Sequence, residues 1–410
     1  MDFKFIHASD LHLGSPLIGL SLKDEAVAKQ FAAASRDAFT DLVTRSIELR
    51  AAFVIIAGDV YDGEWKDTSI GLFFNRELAR LDRAGIQVFL LKGNHDAESV
   101  VTKTISLPEC VRQFPSNNPN TFRIEELEVA IHGRSFPDRA VTENYAVSYP
   151  EPIPGWFNIG VLHTSCDGRP GHADYAPCTV PDLVRRGYQY WALGHVHQFE
   201  ELSRDPWIVF PGNLQGRNVR EHGPKGAVVI DVDDGRVTSV ERMILDRARW
   251  AVVTIDLTGI DDETRALPRI EDAIRPVADQ ADARLLALRV RLEGKSKLHR
   301  VLKAESRRFS DEIQAAAQRC HENIWLERLR IDTADIDASS PGTDALAAVD
   351  LAAMLDGLER DPAIRAAAEA LASSITAKLP GGVKSDEAPV GDIDALLADA
   401  RAAVLGRARA

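Results

Sequence analysis

The chain has 410 residues, more than one ordinary hydrophobic core accommodates, so two or three compact units are expected. It is 45% hydrophobic and 27% charged, and its 49 basic residues against 62 acidic ones give a formal net charge of −13. That balance excludes blanket charge attraction to nucleic acid but not a local basic groove. No apolar run reaches membrane-spanning length, and Met1-Asp2-Phe3-Lys4 leads straight into strand-like sequence rather than a signal peptide. The scattered cysteines (Cys110, Cys166, Cys178, Cys320) read as reduced thiols of a cytoplasmic protein.

Residues 3–8 read as a buried strand, closed by Ser9-Asp10-Leu11-His12. A helical stretch over 22–50 follows, with Phe31, Ala34, Phe39, Leu42, Val43 and Ile47 at helical spacing. Residues 52–57 form a second strand, closed by Gly58-Asp59-Val60-Tyr61-Asp62. A helix over 69–84 ends at Gly85, and a third strand over 86–91 is closed by Gly93-Asn94-His95-Asp96. Strand, helix, strand, helix, strand indicates an α/β layered sheet, where functional residues collect just past the carboxyl ends of strands. Short strands follow at 121–124, 128–133, 157–162, 190–193, 207–210 and 227–232, with an Asp-Asp-Gly hairpin turn at 233–235. Two of them end at His163 and at Gly194-His195. Residues 1–247 are therefore expected to form one αββα domain, two sheets face to face with helices outside.

A second unit, 248–337, reads as a small α+β module: strand 251–257, helix 262–280, strand 284–292, helix 297–319 and strand 324–331. Residues 338–410 read as a linker through Ser339-Ser340-Pro341-Gly342 and a helical tail, 343–377 and 391–407, interrupted by Pro380-Gly381-Gly382.

The motifs that close the strands carry the chemistry. A divalent ion that activates water and holds a phosphate oxygen wants carboxylate, imidazole and amide ligands with positions left open. Two such ions about 3.5–4 Å apart clamp the attacking and leaving oxygens of an in-line displacement. The inventory fits a two-ion site: Asp10, His12, Asp59 and His197 on one ion, and Asp59, Asn94, His163 and His195 on the other. Asp10-x-His12 and His195-x-His197 are expected to alternate out of strand ends, so each pair points to one side. Asp59 is the expected bridge, and Asn94 adds an oxygen without adding negative charge. His95 follows a ligand and is better used as a general acid or as a cation that stabilises the transition state. Asp62 is its natural carboxylate partner, or else a cap for the next turn. Asp96 has no role visible in the sequence.

In that order, Asp-x-His, Gly-Asp-x-x-Asp, Gly-Asn-His-Asp, a lone His and Gly-His-x-His resemble the calcineurin-like metallophosphoesterases. "HASDLHLG", "GDVYDGEW", "YWALGHVHQ" and "FPGNLQGRNVRE" resemble the SbcD-type DNA repair nuclease branch and, within it, the YhaO-like bacterial exonucleases. The resemblance covers about residues 1–245 well and the following module less specifically. It implies a metallophosphoesterase sandwich with a capping module, two ions (Mn2+ by family habit), nuclease activity on DNA, dimerisation, and an SbcC-like coiled-coil ATPase as partner. The family's ligands carry over to Asp10, His12, Asp59, Asn94, His163, His195 and His197, and its catalytic histidine to His95.

Other features allow two readings each. Asn213 and Arg217 are an ordinary turn or part of the rim of the site, supporting substrate. Arg284, Arg289, Arg291, Lys295, Lys297, Arg300, Lys303, Arg307 and Arg308 are a solvated face or a track for a phosphate backbone, with Arg289 and Arg291 on one strand face. The tail is an internal helical pair or a docking element for the ATPase. His7, His132, His172, His222, His299 and His321 lack motif context and read as structural or exposed. The rivals to a DNA exonuclease are a phosphodiesterase or phosphatase for nucleotides and small esters, and a scaffold that loads an ATPase.

Overall fold

The computed structural model describes residues 2–15, 25–62, 68–98, 106–167, 175–336, 354–355, 357–358, 361–376 and 393–408. The chain divides into two compact units, 1–250 and 251–410.

The first unit is built on two six-stranded sheets. In one, β1 (Phe3–Ala8), β2 (Phe53–Ala57), β3 (Gln87–Leu91) and β4 (Val111–Gln113) run parallel. On the other side of β1, β11 (Gly226–Asp233) and then β12 (Arg236–Ile244) add antiparallel. The second sheet is ordered β5 (Asn120–Ile124), β6 (Val129–Gly133), β7 (Phe157–His163), β8 (Tyr190–Gly194), β10 (Trp207–Phe210) and β9 (Glu200–Arg204). Its centre, β6, β7, β8 and β10, is parallel.

The period of two along a strand decides which core each side chain enters. Phe53, Ile55 and Ala57 of β2 face the second sheet and join Phe5, Phe89, Ile159, Val161, Tyr190 and Ala192 between the sheets. Val54 and Ile56 face the other way. There they meet Phe39, Leu42 and Val43 of α1 (Glu25–Glu48) and Phe74, Leu78 and Leu81 of α2 (Thr68–Arg83). The far face of the second sheet is covered more thinly. Trp191, Leu193 and Phe210 pack under Phe136, Tyr145 and Tyr149 of an irregular segment and Leu183 of the short α4 (Val180–Arg185). The expected two-sheet α/β architecture is present, with one full helical layer and one largely irregular layer.

β4, β9 and β12 do not stand out in the sequence. β4 is three residues long, β9 reads Glu-Glu-Leu-Ser-Arg at a sheet edge, and β12 is a partly exposed edge strand with a register shift opposite Asp231/Val232. Edge strands lack the buried apolar run that marks central ones. His7 and His132 are buried as structural residues: His7 bonds Tyr190 Oη and the Leu193 carbonyl, and His132 bonds Thr121 and Asn158. His172 and the linker at 339–342 lie outside the described residues.

The second unit carries a three-stranded sheet, β13 (Ala248–Asp256), β14 (Leu285–Lys295) and β15 (Ile324–Ala334), with β14 and β15 parallel. Leu286, Leu288, Val290 and Leu292 of β14 meet Ile270 and Ile274 of α5 (Glu263–Gln280) and Phe309 and Ile313 of α7 (Ser306–Cys320). The single helix expected over 297–319 is broken at Glu305, whose ψ of 30° is not helical, into α6 (His299–Ala304) and α7. In the tail, α8 (Pro362–Thr376) and α9 (Ile393–Ala408) are joined by an Arg365–Asp394 ion pair, and no described helix is long and apolar enough to cross a membrane.

Phe53 anchors the inter-sheet core: it stacks on Phe5 with ring centroids 4.9 Å apart and meets Phe89 edge-on at 5.7 Å. Phe53→Ala is expected to lower unfolding free energy by about 3–5 kcal/mol in denaturant titration, as large-to-small core changes do.

Candidate metal centre and active site

The polar motifs gather where strands of the two large sheets end together. Asp10 and His12 follow β1, Asp59 and Asp62 follow β2, and Asn94 and His95 follow β3 in the short α3 (Asn94–Glu98). His163 ends β7, and His195 and His197 follow β8. All seven expected ligands lie in or beside one cluster. The local geometry differs from strand alternation. Asp10, His12, Asp59 and His195 have φ values of 52°, 42°, 53° and 100°, left-handed backbone that ordinary residues rarely adopt. Tight turns, rather than the pleat, aim these side chains inward. Neighbouring backbone over-determines the turns: Asp10 N–H donates to Gly58 O (2.9 Å), His12 N–H to Asp59 O (3.1 Å) and Leu13 N–H to Val60 O (2.9 Å).

Two clusters have ligand geometry. In the first, Asp10 Oδ1 lies 3.3 Å from His197 Nε2, and His197 Nε2 lies 3.2 Å from His12 Nε2. In the second, His163 Nε2 lies 3.3 Å from Asp59 Oδ2 and 3.0 Å from Asn94 Oδ1. Potential ligand atoms of Asp10, Asp59 and His163 also converge within 4.8 Å, so both carboxylates, Asp59 among them, stand where the two clusters adjoin. Asp59 Oδ1 is engaged by the His95 backbone N–H at 3.0 Å. Asp10 Oδ2 accepts from the His195 N–H at 2.9 Å and from Ser9 Oγ, whereas Asp10 Oδ1 is buried with no hydrogen bond. A buried carboxylate oxygen left over, with imidazole nitrogens beside it, suits divalent ions bound at about 2.0–2.2 Å. The His195 ring packs on those of His163 and Tyr175.

Two of the imidazoles are oriented from behind. His163 Nδ1 bonds the Ala57 carbonyl (2.9 Å), and His197 Nδ1 bonds Glu221 Oε1 (2.8 Å). Each bond leaves Nε2 facing the cluster, as outer partners of metal-bound histidines do. Glu221 was not singled out from the sequence, although it ends the quoted "FPGNLQGRNVRE". Burial alone would lower the pKa of both histidines, but the charges of Asp59 and of Glu221 outweigh it and raise each to about 9. Burial and the Arg217 charge instead push His12 down to about 4.

His95 stands apart. Its Nδ1 is 3.1 Å from Asp62 Oδ1, and its side chain is 28% exposed, so the opposite edge of the ring is within reach of a bound molecule. Burial opposes the charged ring, but the bond to Asp62 and the charges of Asp59 and Asp62 prevail and raise its pKa. Asp62 also accepts from Ser15 Oγ at 2.6 Å. Asp96 now has a structural place. Its oxygens accept from Tyr61 N–H (3.0 Å) and Gly93 N–H (3.1 Å), clasping the loops after β2 and β3, and burial with the Asp59 charge raises its pKa to about 6.

The remaining candidates are engaged within the protein. Asn213 is buried and donates to Gln215 O and Glu221 Oε2; Arg217 forks onto Glu221 and approaches Asp62 at 3.7 Å. Arg289 and Arg291 do share a strand face, but each is paired from β15, Arg289 bidentate with Glu327 and Arg291 with Asp332. Arg308 is held by Glu263, Glu305 and Glu312, and Arg300 by Asp335. At these positions the basic stretch, read as a solvated face or as a phosphate track, is a set of arginines each paired with acidic neighbours.

Residues 3–199 match the calcineurin-like phosphoesterase family, and residues 250–334 match the middle domain of metallophosphoesterase YhaO. The chain is 30% identical over 377 residues to the uncharacterized metallophosphoesterase YhaO of Bacillus subtilis (strain 168), a match covering 89% of this chain and 92% of that one. It is 24% identical to the DNA double-strand break repair protein Mre11 of Sulfurisphaera tokodaii, over 74% of this chain and 76% of that one. For the protein of the same name from Methanopyrus kandleri the identity is 23%, over 68% and 65%. The chain belongs to the calcineurin-like metallophosphoesterases, as a YhaO-like member, and so to the metal-dependent phosphoester hydrolases.

An ion at this centre must displace the protons that His163 and His197 carry near neutral pH. Calorimetric titration with a divalent metal is expected to show proton release, with affinity rising up to about tenfold per pH unit for each proton displaced. Affinity independent of pH between about 7 and 8 would contradict the raised pKa values and the ligand roles together.

Proposed function

We propose that the protein is a two-metal phosphodiesterase acting on DNA, a repair exonuclease using Mn2+ as a homodimer with an SbcC-like ATPase. The observation that carries the hydrolytic part is the His95–Asp62 pair, 3.1 Å apart, set beside the Asp10, His12 and His197 cluster. The Mre11 relatives support a DNA substrate.

Asp10, His12, Asp59, Asn94, His163, His195 and His197 would hold the ions. When bound, divalent metal supplies Lewis-acid activation of water and of a phosphate oxygen. The protein's own groups manage the rest. Asp62 holds His95 Nδ1–H, which directs the Nε2 proton outward to the departing oxygen, and the bond to Asp62 with the charges of Asp59 and Asp62 favours the protonated ring. The same imidazolium faces the negative charge that builds on the transferring phosphoryl group. Asp96 keeps the His95 loop fixed against the loop after β2 while this happens.

A second reading, a phosphodiesterase or phosphatase for nucleotides and small esters, is favoured by the pairing of Arg289, Arg291, Arg300 and Arg308 with acidic neighbours. Time-resolved digestion of linear DNA beside a nucleotide panel separates the two. Progressive release of nucleotides from DNA ends supports the exonuclease; turnover confined to the panel rejects it.

His95→Ala is expected to keep metal content near that of the unaltered protein and to lower kcat by about 100-fold or more, the range of a lost general acid. Metal content that falls with turnover would make His95 a ligand, since it also stands in a cluster with His12 and Asp62.

A further inference from the structure

Glu221 is the most heavily bonded side chain behind the metal centre. Its Oε1 accepts from His197 Nδ1 (2.8 Å) and Arg217 Nη2 (2.7 Å); its Oε2 accepts from the Arg217 backbone N–H (2.8 Å) and Asn213 Nδ2 (2.8 Å). Arg217 Nε adds a contact at 3.1 Å. The carboxylate is 9% exposed and ends a single short turn, Val219–Glu221, whose Asn218 cap accepts from Arg220 N–H. Lys225 closes the arrangement by donating from Nζ to the His197 carbonyl. Every group that meets Glu221 in these bonds is a donor, so only an ionised carboxylate satisfies them all.

The second arm of this assembly reaches the catalytic pair. Arg217 Nη1 lies 3.7 Å from Asp62 Oδ2, and Asp62 holds His95. His197, Glu221, Arg217, Asp62 and His95 thus form one run of alternating partners from the ligand cluster to the acid.

We infer that Glu221 is a positioning residue that fixes the His197 ring with Nε2 toward the metal cluster, and that Arg217 is its strut to Asp62 rather than an anchor for substrate. The inference rests on the metallophosphodiesterase reading above. A guanidinium whose fork is filled by one carboxylate and whose remaining edge faces a second has little left to offer a phosphate. Its contribution is to keep Asp62, and through it His95, at a fixed distance from His197.

The tests separate the arms. Glu221→Gln preserves shape but turns an amide N–H toward donors. Its Mn2+ affinity, measured by calorimetry with the metal alone, is expected to fall about 10- to 100-fold, the usual cost of losing an outer partner of a ligand. Affinity equal to that of the unaltered protein overturns the first arm. Arg217→Met removes the fork on Glu221 and the 3.2 Å approach of Nη2 to His197 Nδ1 but leaves Glu221 as the acceptor for that ring; with bis-p-nitrophenyl phosphate as substrate it is expected to lower kcat with KM unchanged, at metal affinity changed less than in Glu221→Gln. A raised KM at unchanged kcat makes Arg217 a substrate anchor and overturns the second arm. Should Glu221→Gln fail to fold, the 15N signals of His197 in the Zn2+-loaded protein decide the first arm: a proton on Nδ1 supports it, and a proton on Nε2 overturns it. If the unaltered protein binds Mn2+ but hydrolyses no phosphodiester, the functional reading fails while the metal-affinity and tautomer tests of Glu221 still stand.

Discussion

The whole centre depends on how closely backbone passes backbone where the two large sheets meet. A Cβ on Gly194 would lie 2.0 Å from the Ala57 carbonyl oxygen, and one on Gly93 would lie 2.3 Å from Asp59 Oδ1. Neither approach tolerates a side chain. Because β8 presses so near the end of β2, the Ala57 carbonyl reaches the His163 ring and fixes its orientation. Because the loop after β3 lies on Asp59, the His95 N–H holds that carboxylate in place. Glycine here is a condition of packing, and the orientation of the candidate ligands follows from it.

Orientation from behind recurs around the site, by different means. His163 leans on a main-chain carbonyl, His197 on a buried carboxylate and His95 on a half-buried one. The means match the tasks. A neutral carbonyl or a saturated carboxylate suits rings proposed to present a free nitrogen to metal, whereas Asp62, with part of its surface in water, suits the ring proposed to gain and lose a proton. The left-handed turns at Asp10, His12, Asp59 and His195 add the backbone's share by aiming short side chains inward at the ends of strands.

Much of this was legible in the sequence, for an identifiable reason. Asp10, His12, Asp59, Asn94, His163, His195 and His197 each sit at or just past the end of an apolar run, so periodicity both located the strands and placed their polar residues on one rim. Long-range partners were not legible. Glu221 bonds His197 only because the turn at 219–221 folds back under it. Arg289 and Arg291 alternate as the pattern predicted, but the acids that neutralise them come from a strand 38 and 41 residues later. Local spacing cannot count charges that arrive from elsewhere in the fold. Likewise, the x between Asp10 and His12 suggested pleat alternation, and only backbone angles reveal turns.

The separation of the ligands along the chain has a thermodynamic side. His12 and His197, whose Nε2 atoms lie 3.2 Å apart, are 185 residues apart in sequence and belong to segments after different sheets. An ion shared by them would close that long loop as a removable staple, absent from the unfolded chain and present only once both sheets have docked. Loop closure over such a span is entropically costly for a free chain. An ion that binds only the folded state stabilises it by an amount that grows with the logarithm of the free ion concentration above its dissociation constant. The concentration of divalent metal would thereby bear on the folding equilibrium of this unit, adding to the apolar core that already joins its two sheets.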